Sequence, residues 1–519
     1  MLVRALEVSV LLLFWTLPSS LLGEIVEGSA DVSAQAQAVE HWYRVDLGET
    51  PAGWMMERET RRGDQLTSTS ILHLRFRRGA SEQALEIESR FVETLDGRPI
   101  SAWSKQALGL KPVETTWTFE KGVVLVETTR DGESRSERIP WPPGEWLTPG
   151  QMQPQLRRLL DEGLEGFAIN SLENDLGLEV VATDWQLEAR DESVLIDGRP
   201  RPSLRFKQRP LQTPQLESRV NVSPEGLLLR SVTHLMGLQM TITLSRREHV
   251  LAQREAPELL ARSFIYPDRP IPAPRRVRRA VYEIEVDAEL LKDLPTDASQ
   301  RIESVPGGAR IQVEVGSSPR LTGDDRPRSA EYLRASTTLD FESPQVRELL
   351  AKADLATSTE AERTDAERAE ALRRFVARHL REKNLDSILA TASEAAESQA
   401  GDCTEHSVLL AALLRATGIP ARVVTGLVYV EELIGERHLF GYHMWSQALI
   451  DDRWIDLDAT LEDPFDAAHI AFGSSALNDG SATLLELTHL ATLIGRARIR
   501  VLEVEHRSPT QGHRSSGTP

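Results

Sequence analysis

The chain has 519 residues and a formal net charge of −19, with 79 acidic and 60 basic side chains. Hydrophobic residues make up 40% of it and charged residues 27%, which is typical of a folded globular protein long enough for two or three domains. The acidic balance argues against nucleic acid and anionic lipid as partners, because both repel a negative surface, and we expect no specific membrane lipid as partner. Composition says nothing about the oligomeric state.

The N-terminus has the pattern of an export signal. Arg4 precedes an apolar stretch from Val8 to Leu17, and small residues follow up to Gly23. We predict a signal peptide over residues 1–23 and a periplasmic or secreted protein. An uncleaved membrane anchor is the alternative, although the apolar run is short for a membrane span. A single cysteine also suits an oxidising compartment, because it cannot form a wrong internal disulfide.

Residues 40–265 are predicted to be β-rich. Short apolar or alternating runs, such as 72–76 and 240–244, are separated by turn dipeptides such as Asp96-Gly97 and Asp197-Gly198. Prolines and tryptophans near 141–150 divide the region into two halves, and a helix is expected over Gln155–Leu164. This region contains no cluster of catalytic residue types. We therefore expect it to recognise a substrate or partner, or to act as a propeptide that covers the active site.

Three further segments follow from local patterns. Alternate prolines over 266–279 predict a stiff linker that few contacts cross. Clean alternation at 282–286 and 311–315 predicts a small β module over 280–340. The polar residues 507–519 are expected to form a disordered tail.

Cys403 is the only cysteine of the chain, so it cannot form an internal disulfide. Two helices are expected before it, over Thr364–Glu382 and Ser387–Ser398. Asp402 and Glu405 have the spacing of a capping box, and an apolar run follows them. This predicts Cys403 in the first turn of a helix, where free N–H groups and the helix dipole stabilise a thiolate.

A histidine and a carboxylate follow at distances that suit a nucleophilic cysteine. Strands are predicted on both sides of Asp451-Asp452, and a two-residue loop there places His443 and Asp458 on one face of the hairpin as diagonal neighbours. An odd-length loop would place them on opposite faces. In this arrangement the imidazole takes the thiol proton and the carboxylate orients the ring.

Three blocks together resemble the core of the bacterial transglutaminase-like superfamily. They are GDCTEHSVLLAALLRATGIPARVVTGLVYV, FGYHMW and WIDLDAT, with Ala459 where that family usually has proline. The resemblance implies an α+β chain whose papain-like catalytic domain, residues 345–505, is preceded by the β-rich region. It also implies Cys403 as nucleophile, His443 as base and Asp458 as orienting acid.

The resemblance implies a cysteine-dependent enzyme acting on amide bonds of a protein or peptide through an acyl-thioester, with neither cofactor nor metal. We favour hydrolysis, because water needs no second-substrate site. The alternatives are a protein cross-linking acyltransferase and a non-catalytic scaffold that keeps an inactive form of the site.

Several residue assignments stay open at this stage. Asp456 lies on the same strand face as Asp458 and is an alternative acid. A zinc site is a rival interpretation of four residues with ligand-like spacing, namely Cys403, His406, His438 and His443. The Cys403 backbone N–H is a natural oxyanion donor, and Gln399 and Asn384 are candidates for the second donor.

Overall fold

A computed structural model describes residues 37–508 apart from short gaps. The gaps are residues 80, 108–110, 131, 176, 215, 236–237, 253–255, 261–262, 287–290, 292–293, 323–329, 357–362, 385–388 and 479–494. The predicted signal peptide lies outside the described residues, as does most of the predicted tail.

The strands come in three groups along the chain. Their bounds are β1 Gln37–Leu47, β2 Thr50–Arg62, β3 Gln65–Arg78, β4 Ser81–Thr94, β5 Pro99–Ala107, β6 Val113–Glu120, β7 Val123–Arg130, β8 Glu133–Pro140, β9 Gly166–Glu173, β10 Glu179–Ile196, β11 Arg199–Pro210, β12 Ser218–Val222, β13 Leu228–Leu235, β14 Leu238–Ser245, β15 Val277–Glu285, β16 Gln300–Val305, β17 Gly308–Glu314, β18 Ala421–Leu433, β19 Glu436–Ile450, β20 Arg453–Leu457, β21 His469–Ser475 and β22 Arg498–His506.

The helices lie mostly in the C-terminal half. Their bounds are α1 Pro149–Asp161, α2 Arg247–Leu251, α3 Pro344–Ala356, α4 Asp365–His379, α5 Ala392–Ser398 and α6 Cys403–Ala416. Within the described residues, no helix combines the length and the apolar character needed to cross a membrane.

The N-terminal region forms one antiparallel sheet of 14 strands. Its order is β8-β7-β6-β5-β4-β3-β2-β1-β14-β13-β12-β11-β10-β9, so β1–β8 and β9–β14 are joined where β1 pairs with β14. The predicted division near 141–150 falls between these two groups in sequence, but the groups share one sheet. The predicted helix 155–164 is α1, which begins earlier, at Pro149.

Alternation explains which face of this sheet is buried. In β3, Leu72, Leu74 and Phe76 are buried and intervening residues are more accessible, and β4 repeats the pattern with Leu85, Ile87 and Phe91. Side chains of a strand point to alternate faces, so these residues share the core face. Arg78 occupies the next core-facing position of β3.

The other strands of the described residues form two smaller sheets. One has the order β16-β17-β15-β22, and the other the order β20-β19-β18-β21. The predicted small β module is therefore completed by residues 498–506, which the predicted catalytic domain 345–505 had included. Strand β22 returns to pair with β15 and brings the C-terminal end of the described chain beside the module.

The segment 266–279, predicted as a linker that few contacts cross, is instead packed onto the C-terminal half. Just before it, Ile265 and Phe440 exchange backbone hydrogen bonds of 2.8 and 3.0 Å. Within it, the Ile271 N–H donates to the Tyr429 hydroxyl at 3.0 Å, and Arg275 forms an ion pair with Asp466 at 3.0 Å. The prolines favour an extended backbone for this segment, but composition alone does not show which surface an extended segment packs against.

The hydrophobic clusters of the three regions meet around one residue. Tyr442 packs against the cluster inside the N-terminal sheet, the cluster around α6 and the cluster of the small β module. Leu439, on the same strand, is fully buried in the N-terminal cluster. The β18–β19 hairpin is therefore shared between the N-terminal sheet and the C-terminal half.

A buried carboxyl in the N-terminal sheet gives a prediction about stability. Asp175 is 7% exposed, and burial raises its pKa to about 6 despite a hydrogen bond with Ser89. A carboxyl whose pKa is raised on folding stabilises the fold at low pH, and this contribution is lost as pH rises from about 4 through about 6. We expect Asp175→Asn to raise the free energy of unfolding at pH 8 by about 1–3 kcal/mol.

Thermal unfolding of Asp175→Asn and wild type between pH 4 and pH 8 checks this. The difference between the two proteins should shrink towards pH 4, where the aspartate is protonated in the folded state and about half protonated in the unfolded state. Asp161→Asn, which changes an exposed acid of α1, is the matched control and should show no pH-dependent difference. Equal stability of Asp175→Asn and wild type at pH 8 would contradict the prediction.

Candidate active site

Cys403 is the first residue of α6, as its sequence context predicts. The Asp402 side chain accepts a hydrogen bond from the Thr404 N–H at 2.8 Å, and the Glu405 side chain accepts one from the Asp402 N–H at 2.9 Å. This is a capping box, which fixes the start of the helix. The helix behind it is buried on every side from Thr404 to Arg415, so the thiol is held at the end of a rigid element.

Gly401 makes this helix start sterically feasible. Its φ is +150°, and a Cβ added there would lie 2.4 Å from the Glu405 Cβ and 2.6 Å from its Cγ. The Glu405 carboxylate folds back into that space and also accepts the Ala390 N–H at 3.0 Å. Any larger residue at 401 would displace the side chain that caps the helix carrying Cys403.

The hairpin that carries His443 has the register expected for a two-residue loop. Ile450 pairs with Arg453, and Ser446 with Leu457. Asp451 and Asp452 have φ values of 50° and 60°, which is the conformation of the turn type favoured in such hairpins.

His443 and Asp458 form a buried pair at the end of this hairpin. His443 Nε2 lies 2.8 Å from Asp458 Oδ2, and the residues are 4% and 0% exposed. The other oxygen, Oδ1, accepts the Thr460 N–H at 2.8 Å. Burial raises the pKa of Asp458, but the charges and hydrogen bonds of His443 and His469 outweigh it and hold that pKa well below its usual range. The carboxylate is therefore charged and fixed in orientation.

The Cys403 side chain also acts on the His443 ring and helps to raise its pKa. Because Nε2 is engaged with Asp458, Nδ1 is the ring nitrogen left to face the thiol. Burial lowers the pKa of His443, but the charge and hydrogen bond of Asp458, together with Cys403, outweigh it and raise the pKa to about 9. The structure thus brings Cys403, His443 and Asp458 together in that order, and this geometry suits a thiolate–imidazolium pair.

A second imidazole shares the same carboxylate, and the sequence analysis did not identify it. His469 Nε2 lies 3.2 Å from Asp458 Oδ2, and His469 Nδ1 lies 3.2 Å from Asp466 Oδ1. Burial lowers the pKa of His469, but Asp466 and Asp458 outweigh it and raise the pKa to about 9. The ring of Trp445 packs against both histidines, with centroids 6.1 Å from His443 and 5.3 Å from His469, and the two imidazole centroids are 5.6 Å apart.

The candidate ligand atoms of His443, Asp458 and His469 lie within 4.8 Å of one another, so these residues could hold a cation. Both Nε2 atoms, however, are already bonded to the same Asp458 oxygen. A metal ion there would have to replace these two hydrogen bonds. The cluster is therefore fully accounted for as a hydrogen-bonded charge network.

The alternative acid, Asp456, is engaged elsewhere. Its Oδ1 accepts from Trp445 Nε1 at 2.8 Å and from Gln447 Nε2 at 2.6 Å, and its Oδ2 accepts from the Ser299 hydroxyl at 2.6 Å. Asp456 thus fixes the tryptophan behind the histidines, while Asp458 contacts the rings themselves.

The four residues of the zinc alternative do not converge. His438 is exposed, and its Nδ1 lies 3.1 Å from the Tyr429 hydroxyl, five positions along β19 from His443. His406 is fully buried and donates through Nδ1 to the Asp402 carbonyl at 2.7 Å. His406 therefore packs under the start of α6, and burial lowers its pKa.

The two candidates for the second oxyanion donor differ in position. Gln399 follows the last residue of α5 with a φ of 54°, and its side chain is exposed to solvent. The Asn384 N–H donates to the Glu382 carbonyl, which also accepts the Gly401 N–H at 2.9 Å. Asn384 therefore lies next to the segment that leads into Cys403, and both residues stay predictions for the second donor.

Comparison with known proteins identifies the family of one part of the chain. Residues 353–459 match the family model of the transglutaminase-like superfamily. The chain therefore carries a transglutaminase-like domain behind a β-rich N-terminal region. Comparison with the curated proteins gives no match.

Three solved structures are similar to parts of the chain. A putative cysteine protease from Cytophaga hutchinsonii is 16% identical over 45% of this chain and 86% of its own, with a TM-score of 0.26. A beta-barrel-like protein of a domain of unknown function from Brucella abortus is 13% identical over 40% and 94%, with a TM-score of 0.30. A putative protease from Parabacteroides distasonis is 10% identical over 73% and 68%, with a TM-score of 0.19.

Proposed function

We propose that this protein is an exported cysteine hydrolase that cleaves amide bonds of a protein or peptide through an acyl-thioester on Cys403. The observation that carries the proposal is one thiol at a capped helix start, beside a buried histidine whose far nitrogen is held by Asp458. Membership of the domain in the transglutaminase-like superfamily supports it.

The chemistry follows from this arrangement. His443 Nδ1 takes the thiol proton, and the sulfur attacks the carbonyl carbon of the amide. Negative charge develops on the carbonyl oxygen, where the Cys403 N–H and the N-terminus of α6 stabilise it. His443 then protonates the leaving amine, which departs as the C–N bond breaks. Water, deprotonated by the same ring, attacks the thioester and releases the acid and the thiol.

Cross-linking is the second candidate, because an amine can replace water in the last step. Hydrolysis is preferred because it needs only one specific substrate site. The two outcomes give different products from one mixture: β-casein, the purified protein and a fluorescent primary amine. Hydrolysis of peptide bonds yields new N-termini, hydrolysis of glutamine side chains yields deamidated residues, and acyl transfer yields fluorescent casein.

We expect new N-termini or deamidation in this mixture, with little fluorescence in the casein band. Dominant amine incorporation would establish the cross-linking alternative. Absence of all three products across a panel of unfolded proteins and peptides, with the same result for Cys403→Ala, would favour the non-catalytic scaffold. Export is tested separately: a protein recovered from the periplasm or medium should lack residues 1–23, and retention of that segment would indicate an anchor.

A further inference from the structure

An arginine from the N-terminal sheet reaches the start of the catalytic helix. Arg78 is the last residue of β3, and its Nη2 lies 2.5 Å from Asp402 Oδ2. The residues are 6% and 8% exposed, so the ion pair is buried. Asp402 is the N-cap residue of α6 and the immediate neighbour of Cys403.

The backbone around Arg78 is fixed by a second segment. The Arg77 N–H donates to the Pro257 carbonyl at 2.8 Å, and the Leu259 N–H donates to the Arg77 carbonyl at 3.0 Å. The Gly79 N–H donates to the Glu258 carboxylate at 3.2 Å. These hydrogen bonds hold the end of β3, and with it the backbone of Arg78, against residues 257–259.

The positive charge of Arg78 compensates a negative charge that would otherwise disfavour the Cys403 thiolate. The cap needs a carboxylate at 402, but a buried negative charge one residue from the thiol disfavours the thiolate. Burial raises the pKa of Asp402, and Arg78 with the Thr404 N–H helps to lower it below its usual range. Burial likewise disfavours the charged guanidinium, yet Asp402, Cys403 and Glu405 outweigh it and the pKa of Arg78 is raised.

We propose that Arg78 is a positioning residue of the active site, through which the N-terminal sheet neutralises the helix-capping carboxylate and so permits a thiolate at Cys403. The sheet thereby completes the site to which the C-terminal domain contributes thiol, imidazole and carboxylate. The role rests on the proposed function only in taking Cys403 as nucleophile. Its test needs no substrate, so it can fail while amide hydrolysis stands.

The charged and titratable groups near the thiol come from several elements. The helix start supplies Asp402, Glu405 and His406, the hairpin supplies His443 and Asp458, and the N-terminal sheet supplies Arg78. The raised pKa of His443 keeps its ring cationic around neutral pH. Replacing Arg78 or Asp402 changes the charge near the thiol and leaves His443, the proposed base, in place.

The test measures alkylation of Cys403 by iodoacetamide against pH, which is unambiguous because the chain has one thiol. In Arg78→Met the capping carboxylate is unpaired, and we expect the midpoint of the profile to rise by about one pH unit, with a roughly tenfold slower reaction below it. In Asp402→Asn the cap is kept but Arg78 loses its ion pair with Asp402, so the positive charge near the thiol rises and the midpoint should fall. The double variant should return close to wild type.

Arg75→Met is the matched control, since it removes a more exposed arginine of the same strand that pairs with Glu82. Its profile should equal that of wild type. An unchanged midpoint in Arg78→Met, or a double variant as slow as Arg78→Met, would overturn the proposal. If Arg78→Met does not fold, Asp402→Asn decides: a lower midpoint supports the role of Arg78, and an unchanged midpoint refutes it.

Discussion

Cys403→Ala is expected to abolish turnover of any verified amide substrate while leaving the fold intact. The thiol is the only nucleophile of the cluster, and its loss removes the covalent step on which the proposed reaction depends. A decrease of at least about 10⁴-fold in kcat/KM is expected, since loss of a nucleophile removes the whole concerted arrangement. The measurement is the initial rate of hydrolysis of the β-casein peptide that the wild-type protein cleaves fastest.

Thermal unfolding is the control for this variant. Cys403 is only partly buried at the start of α6, so replacing it by alanine should leave the melting temperature within a few degrees of wild type. His443→Ala should reduce activity almost as far, because the base and the cation that pairs with the thiolate are lost together. Full activity in Cys403→Ala would contradict the mechanism at its first step.

Asp458→Asn is expected to keep more activity than either of those variants, but to change its pH dependence. Asp458 is the main cause that raises the pKa of His443 to about 9, so an amide at 458 should lower that pKa. In Asp458→Asn the imidazolium therefore loses its proton at a lower pH than in wild type, and the alkaline limb of the kcat/KM profile shifts to lower pH. We expect a loss on the order of 10²–10⁴-fold near neutral pH, the larger value if the asparagine selects the wrong tautomer.

Asp456→Asn is the matched control for this result. Asp456 is a buried acid two residues away whose hydrogen bonds go to Trp445, Gln447 and Ser299 rather than to His443. The alkaline limb of the kcat/KM profile of Asp456→Asn should lie at the same pH as that of wild type. If Asp456→Asn moved that limb and Asp458→Asn did not, the alternative acid would be the correct one.

The sequence predicted the parts of this site that depend on local patterns. The capping box at Asp402 and Glu405 marks the start of α6, and the two-residue loop at 451–452 sets the register that brings His443 and Asp458 to one side of the hairpin. Both inferences use interactions within a few residues along the chain. The transglutaminase-like domain was recognised for the same reason, because its three blocks lie within 60 residues.

His469 was missed because no spacing pattern connects it to His443. It reaches Asp458 through the pairing of β21 with β18, which sequence alone does not specify. Its neighbourhood does hold a weak signal, because Asp466 and His469 form a D-x-x-H sequence at a strand start, but such a pair is common on surfaces.

Arg78 was missed although its position carries a signal. It continues the alternation of Leu72, Leu74 and Phe76, so a charged side chain falls on the buried face of β3. A buried arginine requires a partner. The identity of that partner, Asp402, depends on the packing of two regions 324 residues apart in sequence, which no local pattern encodes.

The contacts of the N-terminal sheet bear on its role. Besides Arg78, Arg130 forms an ion pair with Glu394, the capping residue of α5, and Leu439 of the β18–β19 hairpin is buried in the N-terminal core. A propeptide that is discarded would have to leave both helix caps unpaired and expose that core. We therefore propose that the sheet stays with the catalytic domain, and that removing it lowers thiol reactivity.

The central claim, that Cys403 is the activated nucleophile, is tested most directly by the alkylation rate of the purified full-length protein measured by intact mass. At pH 6, with iodoacetamide, we predict a single carbamidomethyl adduct that forms much faster than on free cysteine, and loss of this rate in His443→Ala. An acid-quenched reaction with a peptide substrate should show an acyl adduct on the same residue. A thiol that reacts no faster than free cysteine, with or without His443, would contradict the account.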